Sequence, residues 1–147
     1  MAELDEQKKI QDDTGLSETE ISQYQQKRVS IVHCADLHID SVFSIFAPDS
    51  IKAVKRREEQ LKVLGRVVFL ARKINAKFLL IAGDLFDANR VQRETLDYIN
   101  DKFRMIPDVT VCITPGNHDP LMPGSPYETY NWNDNVHIFG CELDYIE

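Results

Sequence analysis

The sequence predicts an α/β fold with a mostly parallel β-sheet and flanking helices. Apolar runs rich in β-branched residues alternate along the chain with segments whose apolar residues recur at helical spacing. One of these runs, "FLLIA" at 78–82, is apolar throughout, as expected for a strand covered on both faces. Strands that alternate with helices are typical of βαβ units around a parallel sheet. In such sheets the functional crevice lies outside the carboxyl ends of the strands.

The first 28 residues are predicted to be an appendage to this domain. They are polar, and their clearest signal is "LSETEI", where Ser17 and Glu20 can form a capping box. A short helix is therefore expected over about 17–26. The remaining residues, 29–147, are predicted to form the α/β domain.

The elements of the domain are predicted from residue 29 onward. The β-rich run "VSIVHCA" predicts a strand over 29–35, and apolar residues at helical spacing from Ile51 to Ile74 predict one amphipathic helix over about 50–74. After the strand at 78–82, Leu96, Ile99 and Phe103 mark a helix over about 91–104. A strand over 109–114, a short helical or irregular segment at "SPYETYNW" and a fourth strand at "NVHIFG" complete the prediction.

The composition is that of a soluble globular protein. The 147 residues are 43% hydrophobic and 9% aromatic, which is enough for a single core. No run approaches the length of a membrane span and the N-terminus has no apolar signal core, so we expect no membrane association and a cytoplasmic location. The three cysteines are odd in number and form no CxxC pair, which argues against a disulfide framework or zinc knuckle. Cys34 and Cys112 are interpreted as small core residues.

Polar side chains with oxygen or nitrogen donors follow each of the first three predicted strands. These strands end in "ADLHID", "AGDLFD" and "TPGNHD". The candidate site residues are Asp36, His38, Asp84, Asp87, Asn117, His118 and Asp119. Because side chains two apart on extended backbone point the same way, Asp36 and His38 can face one metal ion together. Gly83 and Gly116 allow sharp turns where the donors must converge.

Carboxylates clustered at one edge predict a bound cation, because they repel each other unless a positive charge compensates them. Carboxylate, imidazole and amide oxygen donors without a thiolate suit Mn²⁺, Fe²⁺ or Zn²⁺. A carboxylate between two ions can bridge them at the roughly 3.5–4 Å spacing of two-metal hydrolases, where the ions lower the pKa of a shared water. The pattern therefore indicates a metal-dependent hydrolase.

The motifs "DLH" at 36–38, "GDLFD" at 83–87 and "GNHD" at 116–119 resemble the D-x-H, G-D-x-x-D and G-N-H-D/E series of the calcineurin-like metallophosphoesterases. Each motif alone is a weak signal, but three in order at strand ends are a strong one. Within the superfamily, "HCADLHID", "LLIAGDLFD" and "GNHDP" are most similar to DNA-repair exonuclease subunits of the SbcD type. The resemblance covers about 29–140 and implies the N-terminal half of that family's α/β sandwich.

The resemblance also implies which residues bind metal. Asp36 and His38 would bind the first of two divalent ions, Asp84 would bridge both ions, and Asn117 would bind the second through its amide oxygen. Mn²⁺ is the ion that the resemblance favours, with Fe²⁺ or Zn²⁺ as alternatives.

Three further residues receive roles in the same way. His118 would be the catalytic histidine, stabilising or protonating the leaving oxygen. Asp119 would be catalytic through His118, by orienting its ring with a hydrogen bond. Asp87 would lie behind the ligands as a helix or turn cap, although a third shared carboxylate is the alternative.

The family pattern continues with a later histidine and a G-H-x-H loop, and neither occurs before Glu147. We therefore expect a C-terminally incomplete domain with an incomplete second metal site. His137 is interpreted as a residue of the fourth strand and His33 as a structural residue of the first, rather than as ligands. Asp40 is interpreted as a loop residue.

Three functions are compatible with these residues. The first is a DNA-repair exonuclease that hydrolyses phosphodiesters, the second a phosphomonoesterase or nucleotide phosphatase of the same superfamily, and the third a non-catalytic protein that acts through partner binding. The net charge of −7 disfavours a nucleic-acid partner, but residues 52–77 hold nine Lys and Arg against two Glu. A solvated helix face is the alternative explanation of that basic segment.

The partners implied by the resemblance are DNA, an SbcC-like coiled-coil ABC ATPase and a second copy of the chain. By itself, the 147-residue chain is expected to be marginally stable, to expose an apolar sheet face and to show little nuclease activity.

Overall fold

The computed structural model describes residues 29–41, 50–142 and 144–146. The helix predicted at 17–26 lies outside these ranges. The described elements are, in order, β1 (Ile31–Cys34), α1 (Ile51–Lys73), β2 (Phe78–Ala82), α2 (Arg93–Arg104), β3 (Thr110–Thr114), α3 (Pro126–Thr129) and β4 (Val136–Ile138). Each element predicted from residue 29 onward is present, and the α/β fold is confirmed.

The helices begin and end where local chemistry allows it. Ser50 caps α1, because its side-chain oxygen accepts a hydrogen bond from the Ala53 N–H at 3.2 Å. Arg72 and Lys73 lie in the last turn of α1, where positive charge interacts favourably with the helix dipole. In the described part of the chain, no helix combines the length and the apolar character that crossing a membrane requires.

The sheet contains four parallel strands in the order β1-β2-β3-β4. Connections between successive parallel strands are almost always right-handed, so this sequential order places the connecting helices on one face of the sheet. In agreement, α1 packs against both α2 and β1.

The core lies between the sheet and these helices. Alternate strand residues point into it, and they are nearly inaccessible to solvent: Val32, Leu79, Ile81, Val111 and Ile113. Leu64, Val68, Ile99 and Phe103 of the two long helices cover them.

The opposite face of the sheet carries the other set of alternate residues. Ile31 is 51% exposed there, and Phe78 and Leu80 are half-buried. Cys112 is buried on this face. Among the described residues, the expected apolar face is therefore most open near β1.

Candidate metal centre

Three loops meet at the carboxyl edge of the sheet. They follow β1, β2 and β3, and these strands are direct neighbours in the sheet. The loop after β1 carries Asp36 and His38, the loop after β2 carries Asp84, and the loop after β3 carries Asn117 and His118. The convergence expected from a parallel sheet is thus confirmed.

Backbone hydrogen bonds hold the first loop against the second. The Asp36 N–H donates to Gly83 O at 3.2 Å, and the His38 N–H donates to Asp84 O at 2.9 Å. Asp36 and His38 both adopt left-handed backbone conformations, with φ of 55° and 46°. The expectation that extended backbone orients these two side chains is therefore wrong. Left-handed non-glycine residues store strain that only a well-determined surrounding structure maintains, as is common at functional sites.

The side chains of the first two loops approach each other closely. The Nε2 atom of His38 lies 3.8 Å from Asp36 Oδ1 and 3.8 Å from Asp84 Oδ2. The potential ligand atoms of His38, Asp84 and His118 all lie within 4.8 Å of one another. A carboxylate and two imidazoles at this separation match the nitrogen and oxygen donors that divalent transition metals take in proteins.

The third loop brings His118 to the same point. The ring of His118 lies 4.9 Å from the ring of His38, edge to face. The backbone N–H of His118 donates to Asp84 Oδ1 at 2.9 Å. The side chain of His118 is exposed, so a bound molecule can reach it. Asn117 is also exposed, between Gly116 and His118 on this loop.

Asp119 has a different environment from the one expected. Its carboxylate is fully buried and accepts hydrogen bonds from the N–H groups of Asp84 at 3.0 Å, Leu85 at 2.7 Å and Gly116 at 2.6 Å. A fourth hydrogen bond comes from the Tyr127 hydroxyl at 2.7 Å. The carboxylate of Asp119 thus binds these four donors and not the ring of His118, so the expected orienting hydrogen bond is absent among these contacts. This carboxylate therefore joins the second loop to the third.

The two glycines bring these loops into direct backbone contact. Gly83 has a φ of +83°, and a Cβ on it would lie 3.3 Å from the Gly116 Cα. A Cβ on Gly116 would lie 2.5 Å from the Asp84 nitrogen. Real Cβ atoms do not approach backbone this closely, so Gly116 is required for the contact between the loops.

The remaining sequence candidates lie around this centre. Asp87 stabilises a turn, since its Oδ1 accepts from the Asn89 N–H at 3.3 Å, and Arg90 pairs with its Oδ2 at 3.7 Å. Asp40 is a loop residue, as predicted, whose Oδ2 lies 3.4 Å from the Gln92 nitrogen. His33 and His137 lie in β1 and β4, where the Nε2 of His137 is 2.8 Å from Asp144 Oδ2.

Two residues that contact the loops were not among the sequence candidates. Gln60 of α1 donates from Nε2 to the His38 carbonyl at 2.6 Å, while its buried Oε1 has no hydrogen-bond partner among the described residues. Tyr127 of α3 donates to Asp119. Gln60 lies 22 residues after His38 and Tyr127 lies 8 residues after Asp119, and neither residue type signals such a contact.

The nearest cysteine does not offer a thiolate. Cys34 ends β1, two residues before Asp36. Burial raises the pKa of its thiol from 9.0 to about 11, so the sulfur is protonated at neutral pH. The donors at this edge are therefore oxygen and nitrogen, as the motifs predict.

Comparison with known proteins agrees with this geometry. The family model for calcineurin-like phosphoesterases matches residues 29–144. A protein of Bacillus subtilis (strain 168), described as the uncharacterized metallophosphoesterase YhaO, is 34% identical to this chain over 120 residues. That alignment covers 78% of this chain and 28% of the relative. The chain thus spans little more than a quarter of the relative's length.

Proposed function

The chain belongs to the calcineurin-like phosphoesterase family, and from that premise we propose that it is a metal-dependent phosphodiesterase of the SbcD type that acts on DNA. The observation that carries the proposal is the approach of His38 to both Asp36 and Asp84, at 3.8 Å in each case, beside the exposed His118. Groups that could bind a metal and a histidine that could donate a proton therefore lie together at one open edge of the sheet, which supports the proposal.

Asp36, His38 and Asp84 are the residues that would hold a divalent ion, with Asn117 as a further oxygen donor for a second ion. The chemistry of the donor set fits Mn²⁺, with Fe²⁺ or Zn²⁺ as alternatives. When bound, the metal supplies positive charge for the phosphate oxygens and lowers the pKa of a bound water. The protein contributes by fixing the donors, since backbone bonds join the loops and Asp84 Oδ1 accepts the His118 N–H.

His118 is proposed to act on the leaving oxygen. Its exposed ring stands edge to face against the His38 ring, while its backbone is fixed to Asp84. A protonated imidazole in this position can donate a proton to the departing alkoxide of a phosphodiester. His118 is also close enough to His38 and Asp84 to be a metal ligand instead, and a substitution separates the two roles.

DNA is proposed as the substrate because basic residues and a groove adjoin the site. A groove of about 470 Å³ lies between α1 and the loop before α2, and its lining includes Arg57 and Arg90 as well as the acidic Glu58. Asp40, which also lines the groove, is two residues from His38. An extended polyanion entering the site would have this groove available along its backbone, where Arg suits phosphate oxygens.

The proposal extends to partners and location. An SbcC-like coiled-coil ABC ATPase and a second copy of the chain are proposed as partners, and the cytoplasm as the compartment. Resemblance of the three motifs to SbcD-type subunits supports these three statements.

Metal-dependent diester hydrolysis is the first expected result. The purified chain should bind Mn²⁺, measured by the loss of the free-ion signal in electron paramagnetic resonance. It should cleave a DNA oligonucleotide only with Mn²⁺, because the oxygen and nitrogen donors at this edge act on phosphate through a bound metal. Cleavage is followed on a 5′-labelled oligonucleotide, with p-nitrophenyl phosphate as the monoester.

Each alternative function gives a different outcome in this experiment. Mn²⁺-dependent hydrolysis of the monoester without cleavage of DNA would assign the chain to the phosphomonoesterases. Mn²⁺ binding without hydrolysis of either substrate would favour a non-catalytic role through partner binding. Absence of Mn²⁺, Fe²⁺ and Zn²⁺ binding would contradict the metal-dependent proposal altogether.

The His118→Asn variant tests the role of His118. We expect the rate of DNA cleavage with saturating Mn²⁺ to fall by about 100-fold or more, because a general acid typically contributes that much. The rate for bis(p-nitrophenyl) phosphate should fall less, since p-nitrophenolate leaves readily without a proton. The Mn²⁺ dissociation constant should stay near that of the wild type.

The control is His137→Asn, which changes the same residue type in β4 and should alter neither rate. A Mn²⁺ dissociation constant raised about tenfold or more in His118→Asn would instead identify His118 as a ligand, and would contradict its assignment as the acid.

A further inference from the structure

We infer that Tyr127 is a positioning residue of the metal centre, which acts through Asp119 to hold the Asp84 loop and the Gly116–His118 loop in register. The inference rests on the proposed function, because the register matters for metal binding. It assigns a role to a residue outside the three motifs.

The geometry that carries the inference is the set of hydrogen bonds around Asp119. One carboxylate oxygen, Oδ1, accepts from the N–H groups of Asp84 at 3.0 Å and Gly116 at 2.6 Å. It therefore joins the second loop to the third. The other oxygen, Oδ2, accepts from the Leu85 N–H and from the Tyr127 hydroxyl, both at 2.7 Å. The Tyr127 hydroxyl is the single side-chain donor in this set.

Burial makes each of the four donors matter. Asp119 is fully inaccessible to solvent, and no ion pair to it occurs among the residues that the structure describes. A buried carboxylate without a cation is stable only if hydrogen bonds replace its hydration. Removal of the hydroxyl leaves Oδ2 with one donor, the Leu85 N–H. The carboxylate can then recover a hydrogen bond only by moving or by admitting a water molecule. Either response loosens its hold on the two loops.

The position of the hydroxyl is itself fixed by packing. Tyr127 is 5% exposed, and its ring lies 4.9 Å from that of Phe86, which follows Asp84 by two residues. The ring centroid of Trp132 lies 6.1 Å from that of Tyr127. Burial first, and then the charge of Asp119, raise the pKa of Tyr127, so the hydroxyl remains a donor. Tyr127 thus contacts the Asp84 loop through its ring and the anchoring carboxylate through its oxygen.

The test compares Tyr127→Phe with Tyr130→Phe in the whole chain. Both substitutions delete a hydroxyl that donates to an aspartate, since Tyr130 donates to Asp97 at 2.6 Å. Asp97 lies on α2 with an exposed side chain, away from the three loops. The phenylalanine at 127 keeps the ring against Phe86, so the fold should be retained, as far-ultraviolet circular dichroism will show.

Two quantities are measured. The first is amide hydrogen exchange of the metal-free protein, followed by nuclear magnetic resonance at Asp84, Leu85 and Gly116. In the wild type these amides should exchange more slowly than other loop amides. In Tyr127→Phe they should exchange at least about tenfold faster, relative to amides in α1 and α2. The second is the Mn²⁺ dissociation constant, which should rise about tenfold, as for loss of a residue that supports a ligand.

Every outcome decides the inference. Faster exchange and weaker Mn²⁺ binding in Tyr127→Phe, with Tyr130→Phe like the wild type, would support it. Unchanged exchange would overturn it whatever the metal does. Faster exchange with unchanged Mn²⁺ affinity would also overturn it, because Tyr127 would then stabilise the loops without serving the metal. If the wild type binds no Mn²⁺, the proposed function and the inference both fail, although exchange still shows whether the hydroxyl holds the loops.

Discussion

Asp84→Asn is expected to abolish the stabilisation of the protein by Mn²⁺ while leaving the metal-free protein at least as stable as the wild type. The carboxylate of Asp84 lies 3.8 Å from His38, and its side chain is only 12% exposed. An amide in its place cannot supply the negative charge that holds a divalent ion. At a Mn²⁺ concentration of 100 times the dissociation constant, the wild type should gain about 2.7 kcal/mol in the free energy of unfolding, and the variant should gain almost none.

The metal-free protein should tolerate the amide for three reasons. Asparagine retains an Oδ1 atom that can accept the His118 N–H, which Asp84 now binds at 2.9 Å. Asn also adopts left-handed backbone more readily than most residues, and the φ of Asp84 is 53°. Finally, the carboxylate of Asp84 lies in the same residue as the N–H that donates to the buried carboxylate of Asp119. The substitution removes one of these two negative charges and so lowers the repulsion between them.

Thermal unfolding with and without Mn²⁺ measures both parts of this prediction. Asp101→Asn is the matched control, because Asp101 is exposed on α2 and pairs with Arg104 at 2.8 Å. That variant should keep the full Mn²⁺ shift. Asp84→Asn should also lose DNA cleavage. A Mn²⁺ shift in Asp84→Asn equal to that of the wild type would show that Asp84 is not a ligand.

Gly116→Ala is expected to destabilise the protein by about 3 kcal/mol or more, a large part of the 5–15 kcal/mol typical of a domain. The added Cβ would lie 2.5 Å from the Asp84 nitrogen and 2.8 Å from its Cγ. Backbone cannot move aside as a flexible side chain can, so the second and third loops would have to separate. Their separation would strain the Asp119 hydrogen bonds and the bond from His118 to Asp84. Mn²⁺ binding should therefore be lost as well.

Urea denaturation of Gly116→Ala and Gly65→Ala gives the comparison. Gly65 lies within α1, where an added Cβ would lie 3.8 Å from the Tyr98 hydroxyl, an ordinary contact distance. Alanine in a helix interior is more favourable than glycine by about 0.5–1 kcal/mol, so Gly65→Ala should stabilise the protein. If the free energy of unfolding of Gly116→Ala lies within about 0.5 kcal/mol of the wild-type value, the contact between the loops is not tight.

The elements of the fold could be predicted because their signals are local. The period of the apolar residues from Ile51 onward requires only the neighbouring turns of a helix, and α1 occupies Ile51–Lys73 as expected. The run "FLLIA" coincides with β2. The meeting of the three loops could also be predicted, since parallel strands with helical crossovers bring their carboxyl ends to one edge.

The contacts within the site could not be predicted in the same way. For Asp119, the family resemblance implies a hydrogen bond between its carboxylate and the ring of His118. Its carboxylate instead points into the protein and accepts N–H groups from Asp84 and Leu85, residues more than 30 positions earlier. The choice between these partners depends on how closely the loops after β2 and β3 pack, and no local pattern encodes that distance.

By itself, the sequence determined the α/β class, the order of the elements from residue 29 onward and the types of donor at the strand ends. Periodicity and residue chemistry are properties of short segments, so they can be read without coordinates. Only the tertiary structure decided the left-handed backbone of Asp36 and His38 and the burial of Asp119. It also decided the contact of Tyr127 with the loops. These features exist because bonds from distant segments offset the strain and the lost hydration that each would otherwise carry.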